Sequence, residues 1–181
     1  MRDGGRCTLI LGGARSGKSR YAESLAEGWA KVVFVATAEA LDDDMSARIA
    51  RHRADRPAHW TTVEAPLNLS EAIRGAPADA TIIVDCLTLW ISNLMFSRDI
   101  EDDDAFDVAA KGEVASWLAA ARARQGNLIV VTNEVGLGIV PDNAVSRRYR
   151  DVLGRVNQQV AAAADDVILL VAGLPVVVKQ S

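Results

Sequence analysis

The chain has 181 residues, half of them apolar, and a formal net charge of −4. This length suggests one domain with a sizeable core, and the acidic balance argues against a general nucleic-acid-binding role. No apolar run approaches the roughly 20 residues of a membrane span, and Cys7 and Cys86 show no metal or redox spacing, so we expect a cytoplasmic protein without a membrane span.

Strand-like and helix-like segments alternate along the chain. This alternation predicts an α/β fold with an open, mostly parallel sheet and helices on both faces. The predicted strands are 8–11, 32–36, 61–64, 81–85, 128–132, 167–171 and 176–179. The predicted helices are 18–29, 43–53, 67–74, 87–95, 105–124 and 144–163. The last two strands, joined by the short link 172–175, are predicted to form an antiparallel hairpin at one edge of the sheet.

The first predicted strand runs directly into a phosphate-binding P-loop. Residues 12–19 fit G-x-x-x-x-G-K-[ST] and comprise Gly12, Gly13, Ala14, Arg15, Ser16, Gly17, Lys18 and Ser19. In such a loop the backbone N–H groups point at the phosphates, the lysine reaches the β and γ phosphates, and the serine hydroxyl can ligate Mg²⁺. We therefore predict that residues 1–181 form a single P-loop nucleotide-binding domain.

The predicted helix at 43–53 carries arginines around one of the two histidines of the chain. His52 follows Ile49 by three residues and lies at the rim of the apolar stripe that Ile49 forms with Met45. The arginines attract phosphates and disfavour protonation of the imidazole, which would leave His52 neutral and nucleophilic near pH 7. From the spacing alone, a solvated helix with an incidental histidine remains the simpler interpretation.

Polar residues also follow two later strands. Asp85 ends the apolar strand 81–85, which is the position of a Walker B carboxylate that holds Mg²⁺. Asn133 and Glu134 follow the strand at 128–132, where ligands of open α/β sheets lie, although a polar turn explains them equally well. For the acidic segment 98–104, a solvated loop whose last aspartate caps the next helix is favoured over a metal site.

Together these segments resemble the bifunctional adenosylcobinamide kinase/adenosylcobinamide-phosphate guanylyltransferase family of cobalamin biosynthesis. The resemblance covers almost the whole chain. It rests on GGARSGKSRYAE at 12–23, ATA at 36–38, the spaced set at 45–60, DCLTLW at 85–90, TNEVG at 132–136, GIVP at 138–141 and the spaced set at 150–158. It implies phosphorylation of adenosylcobinamide by ATP or GTP, and then transfer of GMP from GTP to adenosylcobinamide-phosphate, which gives adenosylcobinamide-GDP and pyrophosphate.

The resemblance also implies roles for particular residues. It implies a covalent GMP intermediate on His52, with His59 as the less favoured alternative. Lys18, from its place in the P-loop, and Glu134, from its place after the strand at 128–132, are predicted as further catalytic residues. Mg²⁺ is expected between Ser19 and Asp85. Besides the P-loop, the implied nucleotide contacts are Thr37, Ala38, Glu39, Arg53, Ala54, Asp55, Arg56, Glu64 and Asp85. That the Glu64 carboxylate accepts the guanine N1–H and 2-amino protons is our own hypothesis.

The expected partners are small molecules, namely adenosylcobinamide, its phosphate, ATP and GTP, and not nucleic acid. The resemblance further implies a homo-oligomer and suggests a trimer. Two other functions are compatible with parts of the sequence. A simple P-loop small-molecule kinase would need no His52, and a nucleotide-dependent switch or assembly factor would use the arginine-rich helix at 145–155 as its partner surface.

Overall fold

The computed structural model describes residues 4–39, 43–54, 56–97, 100 and 102–181, apart from the side chains of residues 44, 45 and 48. The strands are β1 (Cys7–Gly12), β2 (Val32–Ala36), β3 (Thr61–Glu64), β4 (Thr81–Asp85), β5 (Leu128–Val131), β6 (Asp166–Val171) and β7 (Leu174–Lys179). The helices are α1 (Lys18–Ala26), α2 (Asp43–Ala54), α3 (Leu69–Gly75), α4 (Leu87–Ser97), α5 (Asp103–Arg122) and α6 (Ala144–Ala163).

The strands form one sheet in the order β3-β2-β4-β5-β1-β6-β7. All neighbouring strands run parallel except β6 and β7, which pair antiparallel at the edge, so the predicted α/β fold and edge hairpin are confirmed. Strand β5 lies between β4 and β1, and Val131 is level with Asp85 on one side and with Ile10 on the other. The register therefore brings the carboxyl ends of these three strands together.

Both faces of the sheet are buried, because successive side chains of each central strand point to opposite sides. In β4, Ile82 and Val84 join the core under α3 to α6, whereas Ile83 joins the core under α1. Full burial of each such side chain contributes roughly 1.5–3 kcal/mol to stability. This double burial explains why the central strands read as unbroken apolar runs.

Several predicted boundaries move by a few residues. Helix α1 ends at Ala26 instead of residue 29, because Glu27 adopts an extended backbone with a ψ of 133°. Helix α3 begins after Asn68 instead of at residue 67. Helix α5 begins at Asp103, because Asp102 accepts a hydrogen bond of 2.7 Å from the Ala105 N–H, so the capping aspartate is not Asp104 as predicted. Residues 98, 99 and 101 of that acidic segment lie outside the described residues.

The hairpin between β6 and β7 turns more tightly than predicted. Ala172 and Gly173 have φ values of 50° and 83°, which is the left-handed backbone of a two-residue hairpin turn, and Leu174 and Pro175 already belong to β7. Proline is tolerated there because β7 is an edge strand. The turn also reaches the P-loop, since the Gly173 N–H donates to the Ser16 carbonyl at 3.0 Å. Within the described residues, no helix combines the length and the apolar character needed to cross a membrane.

Candidate active site

A pocket of about 1210 Å³ lies beyond the carboxyl ends of the strands. Its wall combines the P-loop, helix α2 and residues at or after the ends of β2 to β5. The predicted site residues that line it are Ala14, Arg15, Ser16, Gly17, Lys18, Ser19, Ala38, Glu39, His52, Arg53, Arg56, Glu64 and Asp85. The fold therefore gathers residues from distant parts of the sequence around one cavity.

Other predicted site residues do not line this pocket. Gly12, Gly13, Thr37, Ala54 and Glu134 lie outside its wall, and Asp55 lies outside the described residues. Sequence reasoning also left several lining residues out. Thr88 and Leu89 come soon after the strand that ends at Asp85, so their position could have predicted a place in the pocket wall. Phe34, in contrast, has the sequence pattern of an ordinary core residue. Its place in the wall depends on tertiary packing.

The P-loop connects β1 to α1 through a backbone that leaves no room for a side chain at Gly12. A Cβ on Gly12 would lie 2.5 Å from Ser16 Oγ and 2.7 Å from the Leu170 carbonyl oxygen. Lys18 is only 8% exposed, and its Nζ donates to the Gly13 carbonyl at 2.6 Å. Burial lowers the pKa of Lys18, although the nearby Cys86 and Asp85 act in the opposite direction. The lysine is thus folded back onto the loop, within reach of an anion that the loop would hold.

The Ser16 hydroxyl of the P-loop is buried and has no hydrogen-bond partner among the described residues. A buried hydroxyl without a partner costs about 1–3 kcal/mol. An oxygen-rich ligand in the loop would accept a hydrogen bond from this hydroxyl and remove that cost. The loop is therefore incompletely satisfied by the protein alone.

Ser19 and Asp85 meet across the pocket floor. The Ser19 side chain lies close enough to the Asp85 carboxylate to lower its pKa. Burial raises the pKa of Asp85, and the Ser19 side chain, the His52 imidazole and the cationic Arg56 and Lys18 oppose the rise. A hydroxyl beside a carboxylate offers the oxygen ligands that Mg²⁺ prefers, and Mg²⁺ usually takes only one or two carboxylates from a protein.

Thr37 lies beneath the floor and supports the residue after Asp85. Its side chain is fully buried, and its hydroxyl donates to the Cys86 carbonyl and accepts from the Cys86 N–H, both at 2.8 Å. The Thr37 carbonyl in turn accepts from the Asn93 amide at 2.8 Å. Every polar atom of the Thr37 side chain is thereby used inside the protein, so the structure places this residue as a support and not as part of the pocket wall.

The opposite wall is cationic and contains His52. His52 is half-buried in the pocket wall, whereas His59 is exposed, lies outside the lining and contacts the Trp60 ring edge-on at 6.5 Å between centroids. Arg56 lies over the Phe34 ring at 3.5 Å from its centroid, and burial lowers the pKa of Arg56, whose guanidinium stays charged in proteins. Of the two histidines, only His52 can reach a molecule in the pocket.

The carboxylates of Glu64 and Glu134 lie in different places. The Glu64 carboxylate lies 3.9 Å from an Arg53 nitrogen, and its side chain is 70% exposed at the pocket rim. The Glu134 carboxylate instead accepts from the Gly136 N–H at 2.7 Å, and the Glu134 N–H donates to the Gly12 carbonyl at 3.0 Å. Glu134 therefore shapes the loop that follows β5, while its neighbour Asn133 reaches the pocket wall.

Comparisons with known proteins give a consistent result. Residues 8–178 match the family described as cobinamide kinase / cobinamide phosphate guanyltransferase. The chain is 45% identical to the bifunctional adenosylcobalamin biosynthesis protein CobU of Salmonella typhimurium, with 94% of this chain and 98% of that protein covered. It is 47% identical to the bifunctional adenosylcobalamin biosynthesis protein CobP of Pseudomonas aeruginosa, with 99% and 98% covered.

Among solved structures, an ATPase from the type III secretion system of pathogenic bacteria superposes with a TM-score of 0.58 at 13% identity, covering 92% of this chain and 52% of that one. The Pyrococcus horikoshii protein PH0250 superposes with a TM-score of 0.56 at 7% identity, covering 99% of this chain and 88% of that one. At these identities the likeness concerns the fold alone, and the ATPase fits the predicted P-loop fold.

Proposed function

The chain belongs to the cobinamide kinase / cobinamide phosphate guanyltransferase family, and on this premise we propose how a single pocket performs both reactions. The observation that carries the proposal is the composition of the pocket wall. It holds the P-loop, the Ser19–Asp85 pair and His52 around one cavity of about 1210 Å³. One bound nucleotide can therefore meet either a second substrate or the histidine.

In the proposed kinase reaction, the terminal phosphate of ATP or GTP passes to the hydroxyl of adenosylcobinamide. A bond forms from the hydroxyl oxygen to the γ-phosphorus, the bond from that phosphorus to the β,γ-bridging oxygen breaks, and the hydroxyl proton is released to water. The P-loop N–H groups and Lys18 hold the phosphates in line and stabilise the charge that moves onto the leaving diphosphate. His52 takes no part in this reaction.

In the proposed guanylyl transfer, an imidazole nitrogen of His52 attacks the α-phosphorus of GTP. The bond to the α,β-bridging oxygen breaks, and pyrophosphate leaves in the P-loop. A phosphate oxygen of adenosylcobinamide-phosphate then attacks the same phosphorus, the P–N bond breaks, and the imidazole is regenerated. The covalent intermediate divides one difficult displacement into two easier ones. The place of His52 in the wall, with His59 outside it, supports this assignment.

We propose that Ser19 and Asp85 hold Mg²⁺. The donor set fits, because a hydroxyl lies against a carboxylate on the pocket floor beside the phosphate loop. When bound, the ion neutralises charge on the phosphates of the nucleotide. Asp85 and Ser19 orient those phosphates, and Thr37 holds the chain immediately after Asp85.

For the remaining predicted site residues, the structure supports two kinds of role. Glu64 lies at the pocket rim with an exposed carboxylate, where it can accept hydrogen bonds from the N1–H and 2-amino groups of guanine. This position supports the hypothesis that Glu64 selects guanine for the second reaction. Glu134, whose carboxylate is held by the Gly136 N–H, is proposed to position the loop after β5. With its carboxylate held in this way, Glu134 is not proposed to contact the substrates directly.

The predicted assembly and location remain proposals. The exposed apolar side chains of the edge strand β7, which include Leu174, Val177 and Val178, support a homo-oligomer, and the trimer stays a prediction. The cytoplasmic location likewise stays a prediction, and it agrees with two free cysteines. Light scattering during size-exclusion chromatography measures the oligomeric state directly.

The proposed function is tested with two labels on the nucleotide. Adenosylcobinamide is incubated with GTP labelled either at the γ-phosphate or at the α-phosphate, and the corrinoid products are separated. We expect the γ-label in adenosylcobinamide-phosphate and in the adenosylcobinamide-GDP made from it, and the α-label in adenosylcobinamide-GDP alone. Transfer of the γ-label alone would favour the simple kinase. Nucleotide binding without transfer of either label would favour the switch or assembly factor.

A further inference from the structure

The end of β5 carries a residue that neither the P-loop nor the His52 chemistry uses. Asn133 follows β5 by two positions, and β5 lies between the strand that leads into the P-loop and the strand that ends at Asp85. Val131 is level with both Ile10 and Asp85 in the two neighbouring strands. Asn133 therefore enters the pocket wall between the phosphate loop and the carboxylate on the floor.

The backbone of Asn133 is held from two helices. Its N–H donates to Thr88 Oγ1 at 2.8 Å, and its carbonyl accepts from the Asn157 amide at 3.1 Å. The next residue, Glu134, donates its N–H to the Gly12 carbonyl at 3.0 Å. These bonds tie one short segment to α4, to α6 and to the first glycine of the P-loop.

The supports of Asn133 are themselves buried and satisfied. Asn157 is 5% exposed, and its amide oxygen accepts from the Thr132 hydroxyl at 2.8 Å. The Tyr149 hydroxyl donates to the Thr88 carbonyl at 3.0 Å and so links α6 to α4 behind Asn133. Burial of an amide is costly unless its hydrogen bonds are made, and a satisfied buried network fixes a single geometry. The network thus holds the Asn133 backbone in one place.

The Asn133 side chain, unlike its backbone, is not held by hydrogen bonds from the described residues. It lines the pocket and is half-buried, and none of the hydrogen bonds among the described residues involves its amide group. An amide carries two N–H donors and no charge, so it can bind a phosphate oxygen without the repulsion that a carboxylate would cause. The carboxylate next to it, on Glu134, is turned onto the Gly136 N–H.

We propose that the side-chain amide of Asn133 donates a hydrogen bond to the terminal phosphate of the nucleoside triphosphate bound in the P-loop. This inference rests on the nucleotide chemistry proposed above and adds a residue that distinguishes triphosphate from diphosphate. The amide holds the γ-phosphate in line for transfer in the kinase reaction, and it holds the same phosphate within the departing pyrophosphate in guanylyl transfer.

The test compares the affinities of a triphosphate and a diphosphate. Calorimetry uses the α,β-methylene analogues of GTP and GDP with Mg²⁺, because these analogues cannot transfer GMP. We expect Asn133→Ala to weaken the triphosphate about tenfold and Asn133→Asp about 100-fold, since hydrogen bonds to charged groups contribute this much and the aspartate adds repulsion. Binding of the diphosphate is expected to stay within about twofold of the wild type.

Asn127→Asp is the matched control, because it places the same substitution immediately before β5, at the end of the strand far from the pocket. The Oδ1 of residue 127 accepts from the Arg6 N–H at 2.9 Å, and an aspartate there can still do so. Both nucleotide affinities should therefore be unchanged. Thermal unfolding of each variant establishes that it is folded, and Asn133→Ala carries the test if Asn133→Asp does not fold.

If a folded Asn133 variant binds both analogues as tightly as the wild type, the inference is overturned and the proposed function still stands. Equal weakening of triphosphate and diphosphate would also overturn it, because it would make Asn133 a structural residue. Failure of the wild-type protein to bind either nucleotide would refute the proposed function and this inference together.

Discussion

Two regions of the pocket differ in how they are held. The strand-end region, formed by the P-loop, Asp85 and Asn133, belongs to the core of the fold, with a buried Lys18 and a backbone tied by hydrogen bonds. Helix α2 carries His52 on a surface where every described side chain is exposed except Ile49 and His52, which are half-buried. Phosphate binding is therefore built into the folded sheet, whereas the proposed nucleophile is added from a helix that contributes little to the core.

The difference predicts that guanylyl transfer can be removed separately. In His52→Ala we expect guanylyl transfer to fall by about four orders of magnitude or more, because the covalent route is lost. The kinase reaction should stay within about threefold of the wild type, since no step of it uses the imidazole. Steady-state assays of the two reactions measure this, with His59→Ala as the matched control. Equal loss of both activities in His52→Ala would contradict the separation.

A change in the strand-end region should affect both reactions. We expect Lys18→Ala to lower kcat/KM of each by about 10³-fold, because both displacements leave charge on phosphates that the P-loop holds. Lys31→Ala is the matched control. It removes an exposed ion pair of 2.7 Å with Asp79, and it should leave both activities unchanged. Loss of only one reaction in Lys18→Ala would show that the two reactions use different phosphate sites.

The two regions should also differ in their contribution to stability. Asn157→Leu removes the partners of the Thr132 hydroxyl and the Asn133 carbonyl, and we expect it to lower the free energy of unfolding by about 3 kcal/mol. Arg51→Ala on the exposed side of α2 should change that free energy by less than about 0.5 kcal/mol. Urea unfolding measures both. If both variants lost a similar amount of the free energy of unfolding, the strand-end region and α2 would not differ in their contribution to stability.

The smallest expected effect concerns the start of the buried strand β1. Burial, together with the neighbouring Asp165, raises the pKa of Cys7 to about 12. Below the ordinary thiol pKa of 9.0, folded and unfolded chains both keep the proton, and Cys7 adds no pH dependence. As the pH rises above that value, only the unfolded chain releases it, so the free energy of unfolding falls with rising pH.

This dependence is measured by urea unfolding at pH 8 and pH 10. We expect the wild type to lose about 1 kcal/mol more stability than Cys7→Ala across this interval. An equal loss in the two proteins would show that the thiol ionises as readily in the folded sheet as in the unfolded chain.

The sequence predicted the sheet well because its signals are local. Unbroken apolar runs such as 82–84 marked central strands, and the residues before and after the P-loop marked β1 and α1. Helix ends were harder, because a capping bond such as that of Asp102 to Ala105 depends on backbone geometry that three neighbouring aspartates make ambiguous.

Within the site, position along the chain indicated which residues follow strand ends but not where their side chains go. Glu134 and Asn133 are adjacent, and only the structure shows that the carboxylate is engaged by Gly136 while Asn133 reaches the pocket. Thr37 follows β2 as predicted, yet its hydroxyl forms its hydrogen bonds with the Cys86 backbone beneath the pocket floor. Such outcomes depend on contacts between segments that are far apart in sequence, which local patterns do not encode.

The central claim is that His52 is guanylylated in the same pocket that binds phosphates. The protein is incubated with GTP labelled at the α-phosphate and digested at neutral or alkaline pH with a protease that cleaves after Asp and Glu, since a phosphoramidate is acid-labile. Peptide 45–55 then contains His52, and peptide 56–64 contains His59. We predict GMP on peptide 45–55 and none in His52→Ala. A label on peptide 56–64, or a stable label that persists in His52→Ala, would contradict the account.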